Sequence, residues 1–540
     1  MSLVRNTLVQ TGLTLVSRIM GFARDLAISA MLGAGPVADA FYAALRFPNL
    51  FRRFFAEGAF SQAFVPLYTK ALAGDDAARH DSDRIASEAL SFLLAATAAL
   101  VIVAQIAMPW IYLGLFAGYR DQPTTFDFAV LLAQITMPYL SCMTLAALFS
   151  GVLNAKGRFA LSAAAPTILN ACLLLAIAPF LFLGDAHAAE TQHSAAIAAA
   201  GAVTGAGIIQ AGALWWGCAR SQAQLRLRFP RLTPDVKKLF ALAIPGAIAG
   251  SGTQINIMVS QALASLEPGA ISYLYSADRL YQLPLGLIGV AVGLALLPRL
   301  ARAAAAGDDV AGRSALDEAV SLSMAFTMPA AAALIVMPYF LMNGFWVRGA
   351  FTAEDARLTA QALFHFGWGV PAFVLIKVFA PAFFAREDTV RPMRYALIAV
   401  VANIAIGAGL FFALRGAGLS GFVGLAIATS AASWLNVALL VAALVRERHY
   451  QPSAAAMGRL VRIGLATGVM AGALSAAALN QKAVIAAVLG SKELAVLVVA
   501  SAGACLYIAA ALALRAVTLG EIRSALRREK GPALPSAEDG

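Results

Sequence analysis

The sequence has little charge and few of the residues from which catalytic or metal sites are built. Only 13% of its 540 residues are charged, whereas a soluble protein has about a quarter. Four cysteines and five histidines are scattered without paired spacing, which argues against disulfides and metal ligation. A glycine-rich loop ending in Lys-Ser or Lys-Thr is also missing, so we expect no ATP hydrolysis by this chain. The sequence therefore predicts a protein that is not an enzyme and has no cofactor or metal.

Long polar segments are missing as well. No stretch between apolar runs is longer than about twenty residues, which leaves no room for a separate soluble domain. A membrane-embedded glycosyltransferase, which would need catalytic carboxylates on a sizeable loop, is disfavoured for this reason. The net charge is +11, but the basic residues lie in short loops between apolar runs, as membrane topology requires. We therefore expect no nucleic-acid partner.

Apolar runs make up most of the chain. Hydrophobic residues account for 60% and the mean hydropathy is +0.77, which requires a bilayer as solvent. We predict an all-α polytopic membrane protein with about fourteen transmembrane helices. With a window of about 20 residues, the predicted helices are 8–32, 37–66, 85–112, 126–153, 159–183, 195–217, 236–263, 269–297, 316–341, 357–383, 395–414, 419–445, 459–479 and 493–515.

The basic residues predict the orientation of these helices. Of the 40 lysines and arginines, 27 lie in the termini and the even-numbered connections, and six lie in the odd-numbered ones. Cytoplasmic loops carry the excess of lysine and arginine. The sequence therefore predicts a multi-pass protein of the bacterial inner membrane with both termini in the cytoplasm.

An internal repeat at an offset of about 233 residues divides the chain. Its matched pairs are Gly74-Asp75-Asp76 with Gly307-Asp308-Asp309, Pro138 with Pro371, Arg158 with Arg391, and Asn170 with Asn403. We predict a six-helix lobe at 1–220, a second at 235–450, two extra helices at 451–515 and a cytoplasmic tail at 516–540. Six helices form an even number, so the repeat is parallel, as in transporters that rock two halves for alternating access.

Charged residues inside the predicted spans are the main functional signal. A charge near the bilayer centre costs at least about 2.5–3.5 kcal/mol, so such residues must face protein or a water-filled cavity. Some pairs, such as Arg53 with Glu57, have a purely structural explanation. Cations nevertheless outnumber acids, and clustered guanidinium groups suit phosphate oxygens. The seven cations are Arg18, Arg24, Arg46, Arg52, Arg53, Arg279 and Lys377, and the four acids are Asp25, Asp39, Glu57 and Asp278.

Several runs of residues resemble a known family, the MurJ/MviN lipid II flippases, over essentially the whole chain. The block from Glu57 to Pro66 is the most specific. The other matching runs are Arg18 to Asp25, Ala38 to Phe41, Pro48 to Arg53, Ala277 to Leu280 with Pro284, and Lys377 to Pro381 with Phe383.

The resemblance implies a multidrug/oligosaccharidyl-lipid/polysaccharide exporter fold with two lobes around a central cavity. The implied substrate is an undecaprenyl-pyrophosphate-linked disaccharide-pentapeptide, moved from the cytoplasmic to the periplasmic leaflet for peptidoglycan synthesis. The last two helices would hold its polyprenyl tail. Gln282 stands where some relatives have an acid, so no role of that acid transfers. The residues expected to bind substrate are Arg18, Arg24, Arg52 and Arg279, with Asp25, Asp39, Arg53 and Lys377 beside them.

Two alternatives of the same fold remain at this stage. One is a flippase for another undecaprenyl-linked glycan, which has the same pyrophosphate. The other is a cation-coupled drug exporter. Its cavity would need surplus carboxylates to bind cationic drugs, whereas the predicted spans of this chain have surplus arginines. The expected partners are the lipid-linked precursor and membrane lipids, and contact with the cell-wall synthesis machinery is compatible with the role. Energy would come from the membrane potential or an ion gradient.

Overall fold

The computed structural model describes residues 3–55, 59–72 and 76–517. Side chains are described throughout these ranges except at 3–11, 47, 49–63, 76–81, 243–253, 283–284 and 286–295. The described chain is helical, with a 3-10 helix at Ala117–Tyr119 and one isolated bridge between Arg348 and Phe351. The helices are α1 Leu3–Leu32, α2 Pro36–Phe55, α3 Ala59–Leu72, α4 Asp76–Leu115, α5 Pro123–Thr136, α6 Tyr139–Ala155, α7 Phe159–Leu183, α8 Ala189–Arg220, α9 Pro234–Ala264, α10 Ala270–Ala305, α11 Asp309–Val336, α12 Pro338–Phe345, α13 Ala353–Phe384, α14 Val390–Gly416, α15 Phe422–Arg446, α16 Ala454–Leu479, α17 Gln481–Ala487 and α18 Lys492–Ala513.

The predicted fold class is confirmed. Within the described residues, ten helical stretches are long and apolar enough to cross a bilayer. The total of fourteen spans stays a prediction. The ten stretches are Ser82–Leu115, Pro123–Ala155, Phe159–Leu183, Ala189–Arg220, Asp309–Val336, Ala353–Phe384, Val390–Gly416, Phe422–Arg446, Ala454–Leu479 and Lys492–Ala513.

Two helices predicted as continuous are interrupted at prolines. The predicted helix 126–153 ends as α5 and resumes as α6 after Pro138, and the predicted helix 316–341 ends at Val336 and resumes as α12 at Pro338. Proline has no N–H to donate and its ring clashes with the preceding turn. At the first of these sites, the Pro138 carbonyl then accepts from the Ser141 N–H at 3.2 Å, which starts the next helix.

The contacts divide the chain into two compact units. Unit 1 consists of Met1–Arg279, Phe345–Ala362 and Ala396–Ala428. Its core includes a cluster from α3, α4, α6 and α8, where Phe64, Leu93, Phe149 and Leu214 are almost fully buried. Small residues of α4 and α6, namely Ala86, Ala89 and Ala146, are buried in the same cluster, as is common in membrane bundles.

Unit 2 consists of Leu280–Gly344, Leu363–Tyr395 and Thr429–Gly540. In its core, Leu316, Val378 and Leu440 pack together from α11, α13 and α15. α16 packs against α11 and α18, and the Tyr507 hydroxyl on α18 donates to the Ala325 carbonyl at 2.5 Å. The last long helices are therefore joined to α11 by packing and by a buried hydrogen bond.

Candidate functional site

A charged cluster in unit 1 joins α1 and α10. Arg24 donates from Nε and Nη2 to Asp25 Oδ1, at 3.0 and 2.6 Å. Arg279 of α10 lies with its Nε 3.2 Å from Asp25 Oδ2. The Asp25 side chain is only 4% exposed, so one buried carboxylate is shared by two guanidinium groups. A buried carboxylate needs such partners, because an isolated one would be desolvated without compensation.

Tyr275 lies one helical turn before Arg279 and completes this cluster. Its hydroxyl accepts from Arg279 Nη2 at 2.9 Å and donates to Asp25 Oδ1 at 3.2 Å. The Arg279 guanidinium also lies over the Tyr275 ring, 4.4 Å from its centroid. Tyr42 of α2 stacks on the same ring at 4.0 Å. The two tyrosines therefore join α2 to α10 beside the ion pairs, and cation–π attraction adds to the packing.

Asn170 on α7 fixes the other side of Arg24. Its Oδ1 accepts from Arg24 Nη1 at 2.9 Å, and its Nδ2 donates to the Ser17 carbonyl of α1 at 2.9 Å. α1 and α7 approach closely here, since a Cβ added at Gly21 would lie 3.5 Å from Asn170 Nδ2. With Asp25 and Asn170 as partners, the Arg24 guanidinium has a fixed orientation.

The cluster faces a cavity of about 600 Å³ within unit 1. Arg24, Arg46 and Arg279 line it together with Tyr42, Tyr275 and Asn170. Among the described residues, no aspartate or glutamate lines this cavity. The Arg46 guanidinium lies 5.7 Å from the centroid of the Tyr275 ring. Three arginines around an acid-free lining make the cavity suited to an anion.

Asp39 lies elsewhere, at the N-terminus of α10. Its carboxylate, 1% exposed, accepts from the N–H of Gly269 at 2.6 Å and of Ser272 at 2.8 Å, and from the Ser272 hydroxyl at 2.6 Å. Gly269 has φ +82°, a conformation that glycine adopts without strain. Asp39 therefore caps the helix that carries Tyr275 and Arg279, and it is not one of the residues that line the cavity.

The other predicted site residues are placed as follows. Arg18 is exposed on α1, about two turns before Arg24, and does not line the cavity. Lys377 is half-buried on α13, in unit 2. Arg52 and Arg53 belong to α2, but their side chains lie outside the described residues, as does Glu57. A substrate-binding role for these residues stays a prediction.

Sequence reasoning did not name Asn170, Tyr42 or Tyr275 as site residues. Tyr275 had a signal, since a tyrosine four residues before a membrane-embedded arginine lies on the same helix face. The signal for Asn170 is weaker, since the sequence marks it only as the partner of Asn403 in the repeat. In the part of the chain that the structure describes, no group of three or more His, Cys, Asp or Glu residues is arranged to hold a metal ion.

Comparison with known proteins gives matches along the whole chain. The family model described as "Lipid II flippase MurJ" matches residues 28–491. A "Probable lipid II flippase MurJ" of Rhizobium meliloti (strain 1021) is 40% identical over 98% of this chain and 97% of that protein. The "Lipid II flippase MurJ" of Burkholderia cenocepacia is 32% identical over 89% of this chain and 91% of its own.

Solved structures share the fold. The "Lipid II flippase MurJ, inward closed conformation" superposes with a TM-score of 0.75 at 23% identity, over 96% of this chain and 100% of that one. The inward-facing conformation of a MATE family multidrug resistance transporter gives a TM-score of 0.61 at 13% identity, over 82% of this chain and 98% of that one. At these identities the similarity concerns the fold alone.

Proposed function

Because the chain belongs to the MurJ family of lipid II flippases, we propose that its arginine-lined cavity binds the pyrophosphate of lipid II. The chain is a lipid II flippase, a transporter of the peptidoglycan precursor and not an enzyme. In the proposed cycle, the cavity opens to one leaflet and then to the other, and the headgroup moves from the cytoplasmic to the periplasmic side. The membrane potential or an ion gradient supplies the energy.

The observation that carries this proposal is the charge of the cavity lining. Arg24 and Arg279 share the single carboxylate of Asp25, and Arg46 lines the same cavity. A pyrophosphate brings the negative charge that this lining lacks, and the planar guanidinium donors match its oxygens in pairs. A cationic drug would meet repulsion here, which argues against the drug-exporter alternative.

The shared carboxylate also suggests how binding and release are balanced. Asp25 competes with the substrate for the same guanidinium groups, so the arginines are held in place without being fully neutralised. We propose that the pyrophosphate contacts Arg24 and Arg279 on the sides that face the cavity. Asn170 and Tyr275 hold those two side chains in orientation.

The test is a leaflet assay of lipid-linked precursor in cells that depend on each variant, with membrane abundance measured alongside. We expect Arg24→Ala and Arg279→Ala to accumulate normally and to lose flipping. Loss of one bidentate contact of a few kcal/mol weakens binding about a hundredfold. Lysine at either position should restore flipping only in part, because it keeps the charge but lacks the planar donors.

The matched control is Arg357→Ala. Arg357 also has a paired carboxylate, Glu354 at 2.7 Å, but both side chains are exposed, so flipping should be unchanged. If the arginines serve only to neutralise Asp25, the double variant Asp25→Asn with Arg279→Gln should flip normally. Normal flipping in that double variant contradicts the proposed binding site.

A further inference from the structure

The connector between α8 and α9, residues 221–233, is held against α4 by a regular series of hydrogen bonds. The N–H groups of Gln224, Arg226 and Arg228 donate to Asp83 Oδ2, Ser87 Oγ and Ser91 Oγ, at 2.9, 3.0 and 2.8 Å. Two residues of extended chain span about 6.6 Å, and four residues of helix rise about 6 Å. These two lengths agree, so the connector lies extended along one face of α4.

Along this series of hydrogen bonds, the connector runs toward the uncharged part of α4 and so toward the bilayer. Glu88 is the last charged residue of α4, and the 27 residues from Ala89 to Leu115 are uncharged. Arg228 is bonded to Ser91, which lies beyond Glu88. The chain then returns, because the Thr233 hydroxyl donates to Glu88 Oε2 at 2.8 Å. The turn of the connector, residues 229–232, therefore lies at the level where the apolar part of α4 begins.

The side chains at this turn are apolar and basic in alternation, and they are exposed. Among the described residues of the connector, the large apolar side chains with high exposure are Leu227 at 68%, Phe229 at 80% and Leu232 at 53%. Arg226, Arg228 and Arg231 alternate with them, and no acidic residue occurs in the segment. The backbone bonds to α4 prevent these apolar side chains from folding inward, so in water they would stay hydrated.

The end of α8, the helix before the connector, also has the residues expected at the membrane interface. Trp215 and Trp216, in the last turns of α8, are 54% and 52% exposed. The Arg220 guanidinium lies 4.2 Å from the centroid of the Trp216 ring. Exposed tryptophans and nearby arginines are typical of helix ends at the membrane interface. The connector therefore starts at the headgroup level and turns toward the acyl chains.

We propose that this connector is a membrane-inserted loop that binds anionic phospholipids of the adjacent leaflet. Three apolar side chains enter the boundary between headgroups and acyl chains, namely Leu227, Phe229 and Leu232. Three guanidinium groups bind the phosphates of surrounding anionic lipids, namely Arg226, Arg228 and Arg231. The loop thereby fixes the cytoplasmic end of α4 at the membrane surface. This inference is independent of the substrate and of the arginine cavity.

The first experiment measures the depth of the loop. A spin label is attached at Phe229→Cys, in full-length protein whose four native cysteines are replaced, reconstituted in nanodiscs of phosphatidylglycerol and phosphatidylcholine. We expect collisions with oxygen to exceed those with a water-soluble nickel chelate, as for a label at the exposed α7 residue Leu175. A label at Ala306, in another polar connection, serves as the aqueous control. A label at position 229 that behaves like the one at 306 overturns the proposal and leaves the surface to a soluble partner.

The second experiment tests the lipid selectivity. The triple variant Arg226→Gln, Arg228→Gln and Arg231→Gln is compared with a control triple that removes the same charge from exposed arginines elsewhere, Arg302, Arg394 and Arg446. Each arginine held at the level of the lipid headgroups contributes about a fivefold preference for anionic lipid, and the proposal places the connector arginines at that level. We expect the connector triple to lose retained phosphatidylglycerol in native mass spectrometry, and the control triple to keep it. Equal loss in both triples contradicts a specific site.

Discussion

At the scale of the residue, Tyr275 contacts the cavity cluster through both its hydroxyl and its ring. Its hydroxyl bonds to both Arg279 and Asp25, while its ring lies between Tyr42 and the Arg279 guanidinium. The hydroxyl and the ring therefore contribute separately. A substitution that removes one and keeps the other can tell the two contributions apart.

We predict that Tyr275→Phe destabilises the protein more than Tyr42→Phe does. Hydrogen bonds to charged groups contribute about 1.5–3 kcal/mol each, and Tyr275 makes two. The Tyr42 hydroxyl has a weaker contact, 3.4 Å from Ser29 Oγ, and its loss should cost about 1 kcal/mol. Both variants keep the stacked rings. The measurement is the unfolding midpoint in detergent, and equal shifts for the two variants would show that the Tyr275 hydroxyl bonds contribute no more than the single Tyr42 contact.

At the scale of the element, the N-terminus of α10 is held by a residue from α2. Asp39 and Ser272 are 233 residues apart, which equals the offset of the predicted repeat. Under that repeat, α2 and α10 are the second helices of the two predicted lobes. The cap therefore joins equivalent positions of these two helices. The Asp39 carboxylate satisfies two backbone N–H groups that would otherwise be buried without partners. The position of Arg279, seven residues after Ser272 on the same helix, depends on this cap.

We predict that Asp39→Ala costs more stability than Asp308→Ala. Asp308 also caps a helix, since its carboxylate accepts from the Ala311 N–H at 2.9 Å. This aspartate is exposed and caps its own helix, so its loss should cost about 1 kcal/mol. Loss of Asp39 leaves two buried donors unsatisfied, at about 1–3 kcal/mol each. The comparison uses the unfolding midpoints of both variants. A smaller or equal shift for Asp39→Ala would indicate that water or a neighbouring group replaces the carboxylate.

At the scale of the whole molecule, the distribution of lysine and arginine predicts the topology. The termini and even-numbered connections hold 27 basic residues and the odd-numbered connections hold six, and this bias predicts that the former face the cytoplasm. The connection between α7 and α8, near His187, would then face the periplasm. The C-terminal tail, of which residues 518–540 lie outside the described residues, would face the cytoplasm.

We predict that a reporter fused after Arg528 has cytoplasmic activity and that one inserted near His187 has periplasmic activity. An alkaline phosphatase and a fluorescent protein at each site give complementary signals, because each is active on one side of the membrane only. A third fusion in the connection at Ala306, which the same bias places in the cytoplasm, should give the same signal as the fusion after Arg528. Reversed signals at both test sites would contradict the orientation, and a reversal at one site would contradict the number of spans.

The sequence by itself determined the fold class, the family and the charged residues that lie inside apolar runs. Hydropathy and the excess of basic residues are properties of local stretches, and a helix in a bilayer must satisfy its backbone within the same stretch. Arg24, Arg279 and Asp25 were identified for the same reason, since each is a charge inside an apolar run. The interruptions at Pro138 and Pro338 were missed, because proline is tolerated within many membrane helices.

Only the tertiary structure decided how these charges are arranged. Nothing in the local sequence indicates that Asp25 serves two arginines 255 residues apart, that Asn170 orients Arg24, or that Asp39 caps a distant helix. Each of these contacts depends on which faces of α1, α2, α7 and α10 meet. Helix packing fixes those faces through close contacts between residues far apart in the chain, and a hydrogen bond requires its atoms to meet within a few tenths of an ångström.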